Sequence, residues 1–459
     1  MPTFLVPTGH LGFTPFESPS FEIGLGRCPD YLVADSGSCD IGPYPLGSDR
    51  SHSPSAWQRH DLERMLLGAR DLGVPMIVGS AGDTGTDSQV AAFAGMIRSI
   101  AAEHGLGPFT MATIRAELTP ARLTAMLEHG RPIVGLGGLP DATPELLART
   151  NRAVAVMGAE PIMEALRQGA DVVIAGRACD SALCAAPALL AGIPAALAWY
   201  LGKVLECASF CAEPFAGKES VLGSVSRERV VVEAMHPEQR CTPLSLAGHA
   251  MYERVDPFFE HVPGGTLDMR ELVYRQLDEK ATEVTGMRWL PNSYAIKVEG
   301  AGWVGDRAVA VMGIRDPITL SFLDEAIEWA RGKVTERLGA PGERHCYQLF
   351  FHVFGRNGVM GYLEPSAVTG HEVAVVVEVL AESAGLANEI CALGSRSLFY
   401  ARLPVVKGTA GNASFWSDEV LAARPGYIWT LNHLVPVEDP LELFAIELEE
   451  VRAVAEMAG

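Results

Sequence analysis

The chain has 459 residues, 48% of them hydrophobic and 20% charged, with a formal net charge of −20. That length exceeds what one hydrophobic core usually serves, so two or three domains are expected. Such acidity excludes nucleic acid and anionic membrane as partners, since both need basic surface, but it leaves room for an anionic small molecule in a locally basic pocket.

The first half alternates short apolar runs with amphipathic stretches. YLVAD (31–35) reads as a strand ending in a carboxylate, WQRHDLERMLLGARDLG (57–73) as a helix and PMIVGS (75–80) as the next strand. After the loop AGDTGTD, VAAFAGMIRSIAAEHG is a helix, followed by strand FTMATIR, helix TPARLTAMLEHG and strand PIVGL. Then come helix PELLARTNR, strand AVAVMG, helix PIMEALRQG, strand DVVIAG (171–176) and a closing helix LAWYLGKVLECASF (197–210). Apolar runs of this kind, lacking the alternation of a half-exposed strand, are the mark of a parallel sheet covered on both faces. The expectation is an α/β chain with a Rossmann-like parallel domain over 1–215. Residues 216–293 form an irregular connection with short strands. From 294 to 459 the order strand–helix–strand–strand–helix–strand predicts a second domain, an α+β sandwich of split βαβ type. The 294–314 stretch is read there as a pair of strands, and the apolar strands of this domain offer a face for a homodimer.

In a parallel α/β sheet ligands collect beyond the carboxyl ends of the strands. Asp35, Ser36, Cys39 and Asp40 follow the first predicted strand, and Asp83, Thr84, Thr86 and Asp87 follow the second. Glu160 follows AVAVMG; Gly176, Arg177, Cys179 and Asp180 follow DVVIAG. Several independent loops therefore carry carboxylates to one edge. Helix capping explains the Asp and Thr residues of the second group equally well. If a divalent metal such as Mg or Mn is present, Asp35, Asp83 and Asp87 are its candidate ligands. No NAD or ATP motif is present: SAGDTGTD matches neither GxGxxG nor the P-loop. Arg177 is suited to a two-pronged bond with a carboxylate. Cys179 is a candidate nucleophile, and Glu206, in VLECASFCAEP, is a candidate acid or base or else an ion-pair partner of Arg177 or Lys203. His10 and His249 are further candidate bases. Lys407, Thr409 and Asn412 lie in a loop of the second domain that is a solvated turn or reaches the site. Nine cysteines without a zinc-type CxxC fit reduced thiols in a cytoplasm. The opening MPTFLVPTGHLGFTP lacks the pattern of a signal peptide, and no run of about twenty apolar residues reads as a membrane span.

Together these motifs make the chain resemble the AtuA family of acyclic terpene utilisation proteins. The carrying stretches are DYLVADSGSCD (30–40), IVGSAGDTGTD (77–87), VMGAEPIMEALRQGADVVIAGRACDSAL (156–183), VLECASFCAEP (204–214), KGTAGNASF (407–415) and VEDPLELFAIE (437–447). The most specific is GRACDSAL, which answers to the family's GRxxDxAL. Carried over residue by residue, the resemblance points to Glu160, Gly176, Arg177, Asp180, Glu206 and Cys207. The chain departs from the family at GSAGDTGTD, where NAGGxNP is common, and at Lys203, where a histidine often stands before ECG. It also stops without the further C-terminal segment that many members carry. These departures mark a divergent branch.

The resemblance implies a catabolic enzyme acting on a small carboxylic acid or a CoA thioester. The expected reaction is of lyase or hydratase type, with Arg177 holding an oxyanion and Glu206 or Asp180 moving a proton. Two other readings stay open: a hydrolase or isomerase with Cys179 or Cys39 as nucleophile, and a non-catalytic ligand-binding or scaffold subunit.

Overall fold

The structure is a computed structural model describing residues 1–404, 411–416 and 419–452. Lys407 and Thr409 lie outside the described residues. The chain forms two compact units, one of Met1–Gly302 with Trp429–Gly459 and one of Trp303–Ile428. This differs from the three-part division read from the sequence. Residues 216–293 add strands to the sheets of the first unit, and the chain returns to that unit after 428. The class is α/β.

A ten-stranded mixed sheet organises the first unit. Its five central strands, Thr3–Val6, Tyr31–Gly37, Met76–Asp83, Val172–Ala175 and Phe109–Arg115, lie side by side in that order and are all parallel. On one flank Val221–Val225, Val230–Ala234, Ala281–Thr285 and Val273–Gln276 continue the sheet antiparallel. On the other flank Ala445–Val451 closes it against Phe109–Arg115. That returning strand takes the edge position, so the runs PIVGL and AVAVMG do not join the parallel stack as expected. Instead Val134–Gly135 pairs with His433 and Leu434, and Arg152–Val156 pairs with Glu117–Leu118 and with Lys297–Ala301. The first strand, Thr3–Val6, is only four residues long and had no periodic signal.

Both faces of the central sheet are covered, which is why its strands read as continuous apolar runs. On one face lie Ser55–Leu72 and Asp87–Glu103. The first buries Leu62, Met65, Leu66 and Ala69 at helical spacing and stops at Gly73, whose φ of 68° suits the left-handed position after a helix. The second buries Val90, Phe93, Ala94, Ile97, Ile100 and Ala101. Each large side chain so buried contributes roughly 1.5–3 kcal/mol. The other face carries Glu160–Arg167, Ala182–Leu190 and Ala195–Leu205. The last of these is buried on nearly every side, so it reads as an apolar run without a polar face.

The second unit has its own core. Residues Asp306–Ile314 pair antiparallel with Val373–Ala381, which pairs antiparallel with Tyr347–Phe354. Helices Leu323–Leu338 and Ala384–Phe399 pack together in the same core, giving the expected strand and helix order. The stretch expected as two strands is one, Ala295–Ile314, whose two halves pair in different units. In this unit Asn412 bonds the Ala401 carbonyl through its amide at 2.8 Å. Among the described residues no helix is long and apolar enough to cross a membrane.

Candidate functional site

A cavity of about 660 Å³ opens at the carboxyl ends of the parallel strands. The loop after Thr3–Val6 brings Thr8, Gly9 and His10 to it, the loop after Tyr31–Gly37 brings Ser38, Asp40 and Ile41, and the loop after Val172–Ala175 brings Asp180. Glu206 and Cys207, at the end of helix Ala195–Leu205, form a further wall with Tyr252. Phe210, Phe215 and Lys218 complete it.

Two glycines allow these pieces to touch. A Cβ on Gly9 would stand 2.4 Å from Cys207 Cα and 2.5 Å from the Glu206 carbonyl oxygen. A Cβ on Gly202 would stand 2.0 Å from the Ser181 carbonyl oxygen. Any side chain there would drive the helix end away from the loops, so glycine is required by space.

Glu206 is the most perturbed acid of the wall. Its side chain is only 8% exposed, and burial pushes its carboxyl up to about 8 although Lys203 pulls the other way. It accepts hydrogen bonds from Lys203 Nζ and, at 3.3 Å, from Ser181 Oγ. Lys203 stays cationic, its loss of hydration outweighed by Glu206, and lies 4.7 Å over the Tyr252 ring. Asp180 lines the cavity with 41% of its side chain reachable by solvent, yet at depth between protein walls. Lost hydration pushes its carboxyl up against the pull of Arg177.

The other polar wall carries a histidine–carboxylate pair. His10 Nε2 donates to Asp83 Oδ1 at 2.8 Å. Burial pushes the Asp83 carboxyl up, but bonds from His10, the Ser51 and Ser53 hydroxyls and backbone amides outweigh this and hold it well below the carboxylate range. The ionised Asp83 can only accept, so Nε2 of His10 carries the hydrogen of this pair and Nδ1 is the ring nitrogen left outside it. Ser80 and Asp83 adopt left-handed φ values of 48° and 77°. Such residues cost of order 1–3 kcal/mol each, and here they aim Ser80 at Arg177 and Asp83 into its ring of donors.

Behind the cavity sits a buried ion cluster. Arg177 donates from Nε to Glu299 at 3.0 Å, and from Nη1 to Ser80 at 3.1 Å and Asp180 at 3.4 Å. Burial pushes the Glu299 carboxyl up, but Arg177 and Lys297 prevail and hold it at about 2. Asp35 is buried beside this cluster, its Oδ1 without a hydrogen-bond partner among the described residues. Burial and the nearby Asp180 push its carboxyl well up, against the pull of Arg177.

The family model for acyclic terpene utilisation proteins, AtuA, matches residues 25–428. The chain belongs to the AtuA family. No curated protein and no solved structure matches it.

Within this AtuA fold the expected site residues divide. Asp180, Glu206 and Cys207 meet at the cavity. Arg177 does not line it: its guanidinium is taken up by Glu299, Ser80 and Asp180, so it acts on the site through Asp180. Burial pushes the thiol of Cys179 far up and that of Cys207 up to about 12, so neither is a thiolate at neutral pH. Cys39 is exposed beside Arg177 and Thr84, and lost hydration raises its pKa too. Ser36 is spent on the Leu11 carbonyl. The Thr84 hydroxyl is buried without a hydrogen-bond partner among the described residues. Glu160 accepts a bond from the Tyr294 hydroxyl and is not part of the cavity wall. Gly176 is a packing residue, since a Cβ there would meet Ala116 Cβ at 2.7 Å.

The metal expectation fails on geometry. Among the described residues no three His, Cys, Asp or Glu side chains are grouped to hold an ion. Asp35 is buried beside Arg177, Asp83 is filled by donors, and Asp87 accepts from the Glu117 amide at 3.2 Å at a helix N-terminus. His249 is buried, its Nε2 without a hydrogen-bond partner among the described residues, and burial pushes it down to about 3, a core histidine rather than a base. Sequence reasoning did not place Lys218 or Tyr252, which lie in a stretch without periodicity. It also treated His10 as isolated, because its partner Asp83 is 73 residues away.

Proposed function

We propose that the cavity is the active site of a catabolic enzyme that moves a proton on a small carboxylic acid or its CoA thioester, in a reaction of lyase or hydratase type. The observation that carries this reading is one 660 Å³ cavity walled both by a carboxyl shifted to about 8 and by a histidine oriented by an ionised aspartate. A carboxyl that keeps its proton and an imidazole whose position is fixed by a carboxylate divide naturally into acid and base. Glu206, raised to about 8, serves as the acid; His10, held through Nε2 by Asp83, serves as the base through Nδ1.

For addition of water to a double bond conjugated with a carbonyl, His10 takes a proton from water as its oxygen bonds to the β-carbon. Electron density moves onto the carbonyl oxygen, and Glu206 delivers its proton to the α-carbon as the enolate collapses. Asp180, when protonated, donates a hydrogen bond to the enolate oxygen. Elimination is the same path reversed. Arg177 is a positioning residue that holds Asp180. The shifted thiols disfavour a cysteine nucleophile.

The test is deuterium exchange. Protein incubated in D2O with α,β-unsaturated carboxylic acids and their CoA esters should add water and place deuterium on the α-carbon, exchanging it there as the reaction reverses, read by NMR. Glu206→Gln and His10→Ala should each slow exchange by a hundredfold or more. Binding without exchange across the panel would overturn the enzymatic reading in favour of a ligand-binding subunit.

A further inference from the structure

Lys218 is a cation without a carboxylate partner on the wall of an otherwise acidic cavity. Its ammonium donates to the His10 carbonyl oxygen at 2.9 Å and lies 5.6 Å from the Phe13 ring centre. Among the described residues it forms no ion pair; nearby Asp61 is occupied by the amides of Gly12 and Phe16. Burial lowers its proton affinity, as expected for a cation that has lost water without gaining a counter-charge. An ammonium so placed has donors to spare.

Beside Lys218 the same wall presents two phenylalanines. Phe210 and Phe215 stack with ring centres 5.1 Å apart and remain 59% and 62% exposed. Paired aromatic rings left open to water at the mouth of a cavity offer a ready surface for an apolar ligand.

We infer that the cavity takes an amphipathic anion, its charged oxygens on Lys218 and its hydrocarbon tail along Phe210 and Phe215. This rests on the cavity being the site proposed above, and it narrows the substrate to an acid with a sizeable apolar chain. The anionic group is either the carboxylate of a free acid or a phosphate of a thioester's carrier. Both present oxygens to a lysine, and the two are told apart by the probe.

Thermal shift and calorimetry with octanoate, octanamide, acetate and octanoyl-CoA test the inference by binding alone. Octanoate should raise the melting temperature, and octanamide and acetate should do so far less. Lys218→Gln should weaken octanoate roughly ten- to hundredfold, as for loss of a charge-assisted bond, and Lys218→Arg should keep most of the affinity. Phe215→Ala should weaken octanoate. A response to octanoyl-CoA alone, abolished in Lys218→Gln, would name the phosphate as the source. Equal binding of octanoate and octanamide, or octanoate and octanoyl-CoA affinities unchanged in a folded Lys218→Gln, would overturn the inference. Because Glu206→Gln should still bind octanoate, loss of exchange with retained binding separates failure of the chemistry from failure of the ligand class.

Discussion

His10 Nε2 and Asp83 Oδ1 lie 2.8 Å apart, joining the loop after the first strand to the end of the third. Neither strand alone would orient the imidazole. Asp83→Asn should leave His10 in place but remove the charge that fixes its tautomer. Exchange should fall by a hundredfold or more in kcat with little change in octanoate affinity. A loss of affinity with kcat intact would assign Asp83 to ligand binding instead.

Glu206 carries the pH dependence. If it is the acid, kcat/KM falls as pH rises through about 8. Its raised affinity for the proton also means that folding favours the protonated form. Stability from this group is complete below the ordinary carboxylate range and is lost as pH rises towards about 8. The melting temperature of Glu206→Gln relative to the native chain should therefore improve from pH 5 to pH 9, each measured by calorimetry. A flat difference would place the Glu206 pKa near its ordinary value.

Arg177 and Glu299 form a buried pair that supports the site rather than lining it. Removing one partner leaves an uncompensated buried charge, so Arg177→Ala or Glu299→Ala should cost about 3–5 kcal/mol in urea unfolding. The Glu299 carboxyl is depressed to about 2. Its contribution, roughly 3 kcal/mol, is present above the ordinary glutamate range and lost as pH falls towards 2. An acid transition unchanged in Glu299→Gln would show that the pair contributes little.

The thiols give a chemical check. Cys28 and Cys346 are exposed, whereas Cys179 and Cys207 are shifted strongly up. Iodoacetamide at neutral pH should label Cys28 and Cys346 first, by mass spectrometry, and leave exchange activity intact. Early labelling of Cys179 with loss of activity would restore the nucleophile reading.

Gly202 tests how the site is assembled. A methyl group there meets the Ser181 carbonyl at 2.0 Å, so Gly202→Ala should destabilise by about 1–3 kcal/mol. It should also lower exchange by moving Glu206 from the loops. Full activity would mean that the helix end can shift without consequence.

The sequence by itself determined the alternation of buried strands and helices, because that pattern follows from which residues avoid water on a doubly covered sheet. It also determined the family, and it brought Asp180 and Glu206 into view as carboxylates at strand and helix ends. Only the tertiary structure decided what each polar group does. Arg177 looks like an anion receptor in GRACDSAL, but Glu299, 122 residues away, claims its guanidinium. Asp83 looks like a cap or a metal ligand, but Ser51, Ser53 and His10 surround it. Lys218 has no local signal at all, and it becomes a site residue through the cavity that it faces. A side chain's charge is written in the sequence; its partner, its hydration and hence its proton affinity are set by contacts between distant segments.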